Sequence, residues 1–228
     1  QVMMRQLPLP LPYDAAMGAD DFLVTPCNRD AAAWIEKWPD WPAPGLILTG
    51  LAGSGKTHLL NLWLDKSKGR RISEKDLLEN DAPALMEKTT ALAIDNADAL
   101  AGLNLAEEKL FHLFNHIKEA KGSLLLTMTH SAGQAGFLLP DLRSRLLTLP
   151  SATLLPPDDT LLEALIIKQF RDRQVTLDTG VVTYLAPRIP RDAEGIRTFV
   201  NHLDLAALAE GRKITIALAR KILENPID

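Results

Sequence analysis

The run Gly50-Leu51-Ala52-Gly53-Ser54-Gly55-Lys56-Thr57 has the spacing G-x-x-x-x-G-K-T. Glycines at 50, 53 and 55 let successive backbone N–H groups curl around phosphate oxygens, and the start of a following helix adds partial positive charge. Lys56 has the reach for β- and γ-phosphates, and the Thr57 hydroxyl can ligate Mg²⁺. Leu51, Ala52, Ser54 and His58 complete the set expected around the phosphates. A glycine-rich turn alone would not need its flanks. Here an apolar strand, Gly45–Thr49, precedes the loop and a helix from Thr57 to about Lys66 follows.

A second apolar run, Ala91–Ile94, ends at Asp95, where a carboxylate can contact Mg²⁺ and its water. The next residue is Asn96. Many hydrolysing P-loop ATPases place an acid there to orient and deprotonate the attacking water, and an amide cannot act as that base. Slow intrinsic hydrolysis is therefore expected, unless Asp98 substitutes from two positions on. Thr129 follows a third apolar run, Ser123–Met128, where a polar group could sense the γ-phosphate. It reads equally well as an ordinary strand-end threonine, and the same holds for Thr127.

These residues need a scaffold of alternating strands and helices. A helix around Asn28–Trp38 precedes the first strand, Arg71–Ser73 suggests a short strand, and Glu74–Asn80 a helix. In Asn104–Lys121, Leu110, Phe111, Phe114 and Ile117 recur at helical spacing, with Gly122 expected at the C′ position. Strands separated by helices of this length imply an α/β fold, a parallel sheet with helices on both faces. After Pro156-Pro157 the strand signal fades. Asp158 or Asp159 can cap a helix carrying Leu161, Leu162, Leu165, Ile166 and Phe170, and further helices are expected at Gly180–Ala186, Ala193–Glu210 and Ile216–Leu223. The expected organisation is a tail (1–20), an α/β base (21–155) and a helical lid (156–228). Trp34, Trp38, Trp41 and Trp63 are expected to pack.

The tail differs in kind. Gln6–Pro12 alternates leucine and proline, which fixes φ near the polyproline value and removes amide donors, so an extended segment is expected. Apolar runs elsewhere are far shorter than the ~20 residues a bilayer needs. No charged and apolar leader opens the chain, and Cys27 is the only cysteine, so a reducing cytoplasm is the expected setting. A formal net charge of -4 argues against a general nucleic-acid coat, which leans on many Lys and Arg contacts to phosphate.

The segments GLAGSGKTHLL, AIDNAD, LLLTMT, LPDLRSRL and GIRTF occur in the order and spacing of the DnaA-type AAA+ ATPases. Over roughly residues 21–228 the chain resembles that family, and within it the Hda group of DnaA-related regulatory inactivators. Asp95-Asn96 stands where the initiator has two aspartates, and Leu139-Pro140-Asp141-Leu142 before Ser144-Arg145 is similar to Hda. The sequence ends after the lid, where the initiator continues into a helix-turn-helix domain, so no sequence-specific DNA binding is expected.

The resemblance implies an AAA+ P-loop NTPase with a parallel-sheet base and a small helical lid, holding ADP or ATP with Mg²⁺. It implies that Arg145 is an arginine finger acting in trans on a neighbour's phosphates, where such a group contributes ~10³–10⁵ in rate. It makes Arg197 the lid arginine that reaches the phosphates, and Leu23 and Val24, with Phe22, the residues that wrap the purine. Asp141 and Arg143 are expected to cap and solvate the short helix that presents Arg145. Gln6, Leu7, Leu9 and Leu11 resemble the sliding-clamp-binding motif of that group, with Pro8 departing from the expected small polar residue. The implied partners are the DnaA initiator and the DNA polymerase III sliding clamp, with self-association possible and no membrane. In that role the protein completes another protein's active site rather than turning over alone. The alternative is a self-sufficient AAA+ ATPase of the helicase-loader type acting on single-stranded DNA, which robust DNA-stimulated turnover would favour.

Overall fold

The computed structural model describes residues 22–224. Five strands, β1 (Gly45–Thr49), β2 (Arg70–Arg71), β3 (Ala91–Ile94), β4 (Ser123–Met128) and β5 (Ser151–Thr153), form one sheet in the order β2-β3-β4-β1-β5. Every pairing is parallel, with Leu48 opposite Thr127 and Ile94 opposite Leu126. Strands covered on both faces read as continuous apolar runs, and β1 and β3 are buried along their whole length.

Alternation along those strands divides the core. Leu46 and Leu48 pack with Ala31 and Ile35 of α1 (Arg29–Lys37) and with Leu59, Leu60 and Trp63 of α2 (Lys56–Ser67). Ile47, Leu92, Ile94 and Leu126 point the other way, onto Leu110, Leu113, Phe114 and Ile117 of α5 (Asn104–Glu119). Side chains one residue apart on a strand face opposite ways, so one sheet positions both layers. The tryptophans do pack: Trp63 is fully buried, with Trp41 stacked on it at 5.6 Å and Trp38 edge-on at 6.1 Å.

Three local expectations change. The edge strand β5 is three residues with only its middle one buried, too short and polar to stand out as a strand. A short helix α4 (Ala82–Leu85), started by Asp81, follows α3 (Glu74–Glu79), and a 3-10 turn (Ala97–Leu100) follows β3. At the end of α5 the left-handed residue is Lys121 (φ 52°), not Gly122. The Gly122 amide donates to Ile117 O at 2.8 Å and Lys121 N to Lys118 O at 3.2 Å, the paired bonds of a Schellman end. Glycine is needed at 122 for a different reason: a Cβ there would lie 2.4 Å from Thr90 O.

Residues beyond 158 build a separate apolar core. α7 (Asp159–Arg171), α8 (Thr179–Leu185), α9 (Ala193–Glu210) and α10 (Ile216–Glu224) bury Leu162, Ile166, Phe170, Leu185, Val200, Leu203 and Leu218 against one another. Asp158, Asp178 and Asp192 each accept a first-turn amide at 2.8 Å, starting α7, α8 and α9. Among the described residues no helix is long and apolar enough to cross a membrane.

Candidate functional site

The loop between β1 and α2 leaves the sheet at Gly50, whose amide donates to Met128 O at 3.2 Å. Gly53 and Gly55 take φ of 74° and 99°, the left-handed region where L side chains are strained. Those two turns bring the chain into α2, with Gly55 as its N-cap and Lys56 as its first residue. Orphan amides at a helix start form an anion site. Leu51, Ala52, Gly53, Thr57 and His58 are exposed along it, and Ser54 is buried with its Oγ unpaired.

Lys56 is 6% exposed, and its Nζ donates to Gly50 O at 2.6 Å and Leu51 O at 2.9 Å. Burial pulls its pKa below the ordinary value, while the charges of Asp98 and Asp95 act in the opposite sense. The ammonium is thus held inside the loop by two carbonyl oxygens, within the field of Asp95 and Asp98, where a bound phosphate would favour its charged form further.

Asp95 at the end of β3 joins groups from three other elements. Its carboxylate accepts from the Thr57 hydroxyl at 2.9 Å and the Thr127 hydroxyl at 2.5 Å, and lies 3.5 Å from an Arg71 guanidinium nitrogen. Thr127 Oγ1 accepts in turn from Asn96 N–H at 2.8 Å, so a fully buried threonine fixes the Asp95–Asn96 corner. Asn96 is exposed and left-handed (φ 55°). Asp98 is engaged, accepting from Thr129 N–H at 2.8 Å and lying 3.6 Å from His130 Nδ1. The structure thus brings Thr57, Asp95 and Thr127 together and ties Thr129 in through its backbone. The Thr57 hydroxyl and Asp95 carboxylate suit a hard divalent cation that takes its other ligands from phosphate and water. Among the described residues no cluster of three His, Cys, Asp or Glu side chains forms a metal cage.

At the entry to the base, Phe22 stacks on His58 with centroids 5.4 Å apart, and Leu23 O accepts from Asn28 Nδ2 at 3.0 Å. Val24 is 40% exposed. The segment therefore crosses the first turn of α2 beside the glycine loop. Gln6, Leu7, Leu9 and Leu11 lie outside the described residues.

The lid meets the base at the same loop. A Cβ on Gly53 would lie 2.3 Å from Asp192 Cβ, so the residue that caps α9 leaves no room for a side chain there. Arg191 donates to Pro157 O at 3.1 Å and to Asp159 Oδ1 at 2.5 Å, tying the start of the lid to the approach to α9. Arg197, one turn into α9, has a 61% exposed side chain and lies 3.8 Å from Glu194 of its own helix. Arg145 is exposed on α6 (Pro140–Leu147), whose Leu142 and Leu146 are buried. No ion pair or side-chain hydrogen bond joins Arg145 or Arg197 to the loop 50–57 among the described residues.

The expected cap of α6 is different. Leu139 occupies the N-cap position without a side-chain hydrogen bond, and Asp141 is exposed in the first turn. The acceptor comes from α5, where the 1% exposed Glu107 receives the amides of Gly102, Leu138 and Leu139. Sequence reading missed Glu107, although it falls three residues before Leu110 on the inward face of a helix. Arg71 was missed too, and its place beside Asp95 has no local signal.

Residues 158–223 match the family model described as Hda, lid domain. The chain is 25% identical over 213 residues to the chromosomal replication initiator protein DnaA of Oenococcus oeni, covering 86% of this chain and 47% of that protein. It therefore spans about half the length of that curated relative. Domain III of the Thermotoga maritima replication initiation protein DnaA superposes with a TM-score of 0.77 at 21% identity, covering 90% of this chain and 94% of that one. AMPPCP-bound DnaA from Aquifex aeolicus gives 0.68 at 19% identity, covering 82% and 65%. With its five-stranded parallel sheet, its glycine loop and its helical segment beyond 158, the chain has the AAA+ fold of DnaA domain III, and it is similar to DnaA along most of its length and to Hda over its lid.

Proposed function

We propose that this chain is a negative regulator of bacterial replication initiation, a nucleotide-bound cytoplasmic protein that promotes hydrolysis of ATP on DnaA. Arg145 carries the reading: an arginine exposed on a short helix, unpaired with the chain's own glycine loop, in a protein whose lid matches the Hda model. In this reading the base (21–155) and lid (156–228) hold ADP or ATP between them. The 50–57 amides, Lys56 and His58 bind the phosphates, Thr57 and Asp95 hold Mg²⁺, Thr129 and Arg197 attend the terminal phosphate, and Leu23 and Val24 border the purine side.

Intrinsic turnover is weak in this scheme. The residue after Asp95 is an exposed amide, and Asp98 is already engaged with Thr129 and His130. The reaction proceeds instead on the partner. Water attacks the γ-phosphorus of DnaA-bound ATP, ADP leaves, and the Arg145 guanidinium neutralises charge building on the transferring phosphoryl oxygens. The tail (1–20), through Gln6, Leu7, Leu9 and Leu11, docks the protein on the DNA-loaded sliding clamp, and prolines in that segment lower the ordering cost.

The test is ATP hydrolysis by DnaA with and without this protein, each with and without DNA-loaded clamp. The expected outcome is a rise only when protein and clamp are both present, lost in Arg145→Ala by ~10³-fold or more. Strong DNA-stimulated hydrolysis by the protein alone, or no rise on DnaA, would replace this reading with the loader-type ATPase.

A further inference from the structure

The buried carboxylate of Glu107 has no role in the phosphate site, yet its surroundings are specific. A carboxylate this deep is costly unless its charge is answered by hydrogen bonds or a cation. No cation pairs with it among the described residues; backbone amides do. Oε1 accepts from Gly102 N at 2.7 Å and Leu138 N at 3.0 Å, and Oε2 accepts from Leu138 N at 2.9 Å and Leu139 N at 2.6 Å. The Leu139 bond completes the set.

Leu138 and Leu139 are the last residues before α6, a helix of eight residues that begins with Pro140 and has no capping side chain of its own. Leu142 and Leu146 fix which face of α6 turns inward, and the two-point hold on Leu138 and Leu139 fixes where along the chain the helix begins. Together they set the direction of Arg145. The other end of the β4–α6 connection is held the same way, with Thr129 N–H on Asp98. Both carboxylates come from the segment that follows Asp95, so the connection carrying the arginine is pinned at each end by residues leaving the phosphate site.

We infer that Glu107 is a positioning residue for Arg145, acting as the cap of α6 from a neighbouring helix; this rests on the finger role proposed above. A carboxylate is required because three amides converge on two acceptor oxygens. In Glu107→Gln one of those oxygens becomes an NH₂ group that faces an N–H donor, with volume and packing retained.

The experiment compares wild type, Glu107→Gln and Glu107→Asp by amide exchange, by ADP affinity and by stimulation of hydrolysis on the ATP-bound partner. Glu107→Gln is expected to speed exchange across residues 138–147 and to lower stimulation ~10²-fold, the scale of a 1 Å misplacement. ADP affinity should stay within about twofold, because the bonds of the loop 50–57 are untouched. Glu107→Asp keeps the charge on a shorter arm and should fall between the two; it also serves if Glu107→Gln fails to fold. Unchanged exchange over 138–147, or faster exchange with full stimulation, would overturn the inference. If wild type itself stimulates nothing while Glu107→Gln still speeds exchange, the finger role falls and the cap stands.

Discussion

Lys56 shows how a single buried charge carries a testable consequence. Its ammonium is shielded from water, and burial is the leading reason that its pKa is lowered from the ordinary 10.5. The unbound site therefore begins to release that proton at a lower pH than a solvated lysine would. Bound phosphate favours the charged form and raises the pKa again. Binding then takes up a proton across that interval, so nucleotide affinity should fall as pH rises through the alkaline range below 10.5. Titrating ADP binding by calorimetry in buffers of different ionisation enthalpy checks this, and a flat profile with no proton uptake would remove Lys56 as the phosphate contact. Arg71 acts on the same site from the far side: its guanidinium already answers part of the Asp95 charge.

At the level of elements, the end of α5 sets the register of β4. Ser123 N–H donates to Thr90 O at 2.8 Å, so that carbonyl is held in place and cannot yield to a larger residue at 122. Gly122→Ala would put a methyl group 2.4 Å from it. The expected cost is about 1–3 kcal/mol, read as a lower urea midpoint at unchanged slope. A loss under about 0.5 kcal/mol, the size of an ordinary surface change, would mean that the α5–β4 corner relaxes freely. The same corner explains why an expected C′ glycine was found one residue further on. Lysine tolerates the left-handed conformation here, while the glycine answers a contact from another strand.

For the whole molecule, base and lid keep separate cores and meet at the glycine loop, where Asp192 lies against Gly53. A ligand that orders residues 50–57 should then also quiet the start of α9. Adding ADP should slow amide exchange in the first turn of α9 as well as at the start of α2, with α10 unaffected. Protection confined to α2 would show that the lid does not respond to the loop. Gly53→Ala, strained at φ 74° and crowded by Asp192, should uncouple the two even where the loop still binds.

Much of this was legible along the chain because its signals are local. The glycine loop is eight consecutive residues, β1 and β3 are unbroken apolar runs, and α5 repeats its apolar side chains at helical spacing. Asp158 announces α7 three residues before the amide it receives. Such features follow from backbone geometry and burial over a few residues, so the sequence by itself determined the buried parallel strands, the glycine loop between β1 and α2 and a separate helical segment after Pro157. β5 escaped because an exposed edge strand of three residues has no such signature. Only the tertiary structure decided the partners: Thr57 and Thr127 on Asp95 across 38 and 32 residues, Glu107 on Leu139 across 32, Asp192 against Gly53. Those pairings depend on strand order and on which buried polar group finds a donor in a crowded interior, and neither is encoded by spacing along the chain.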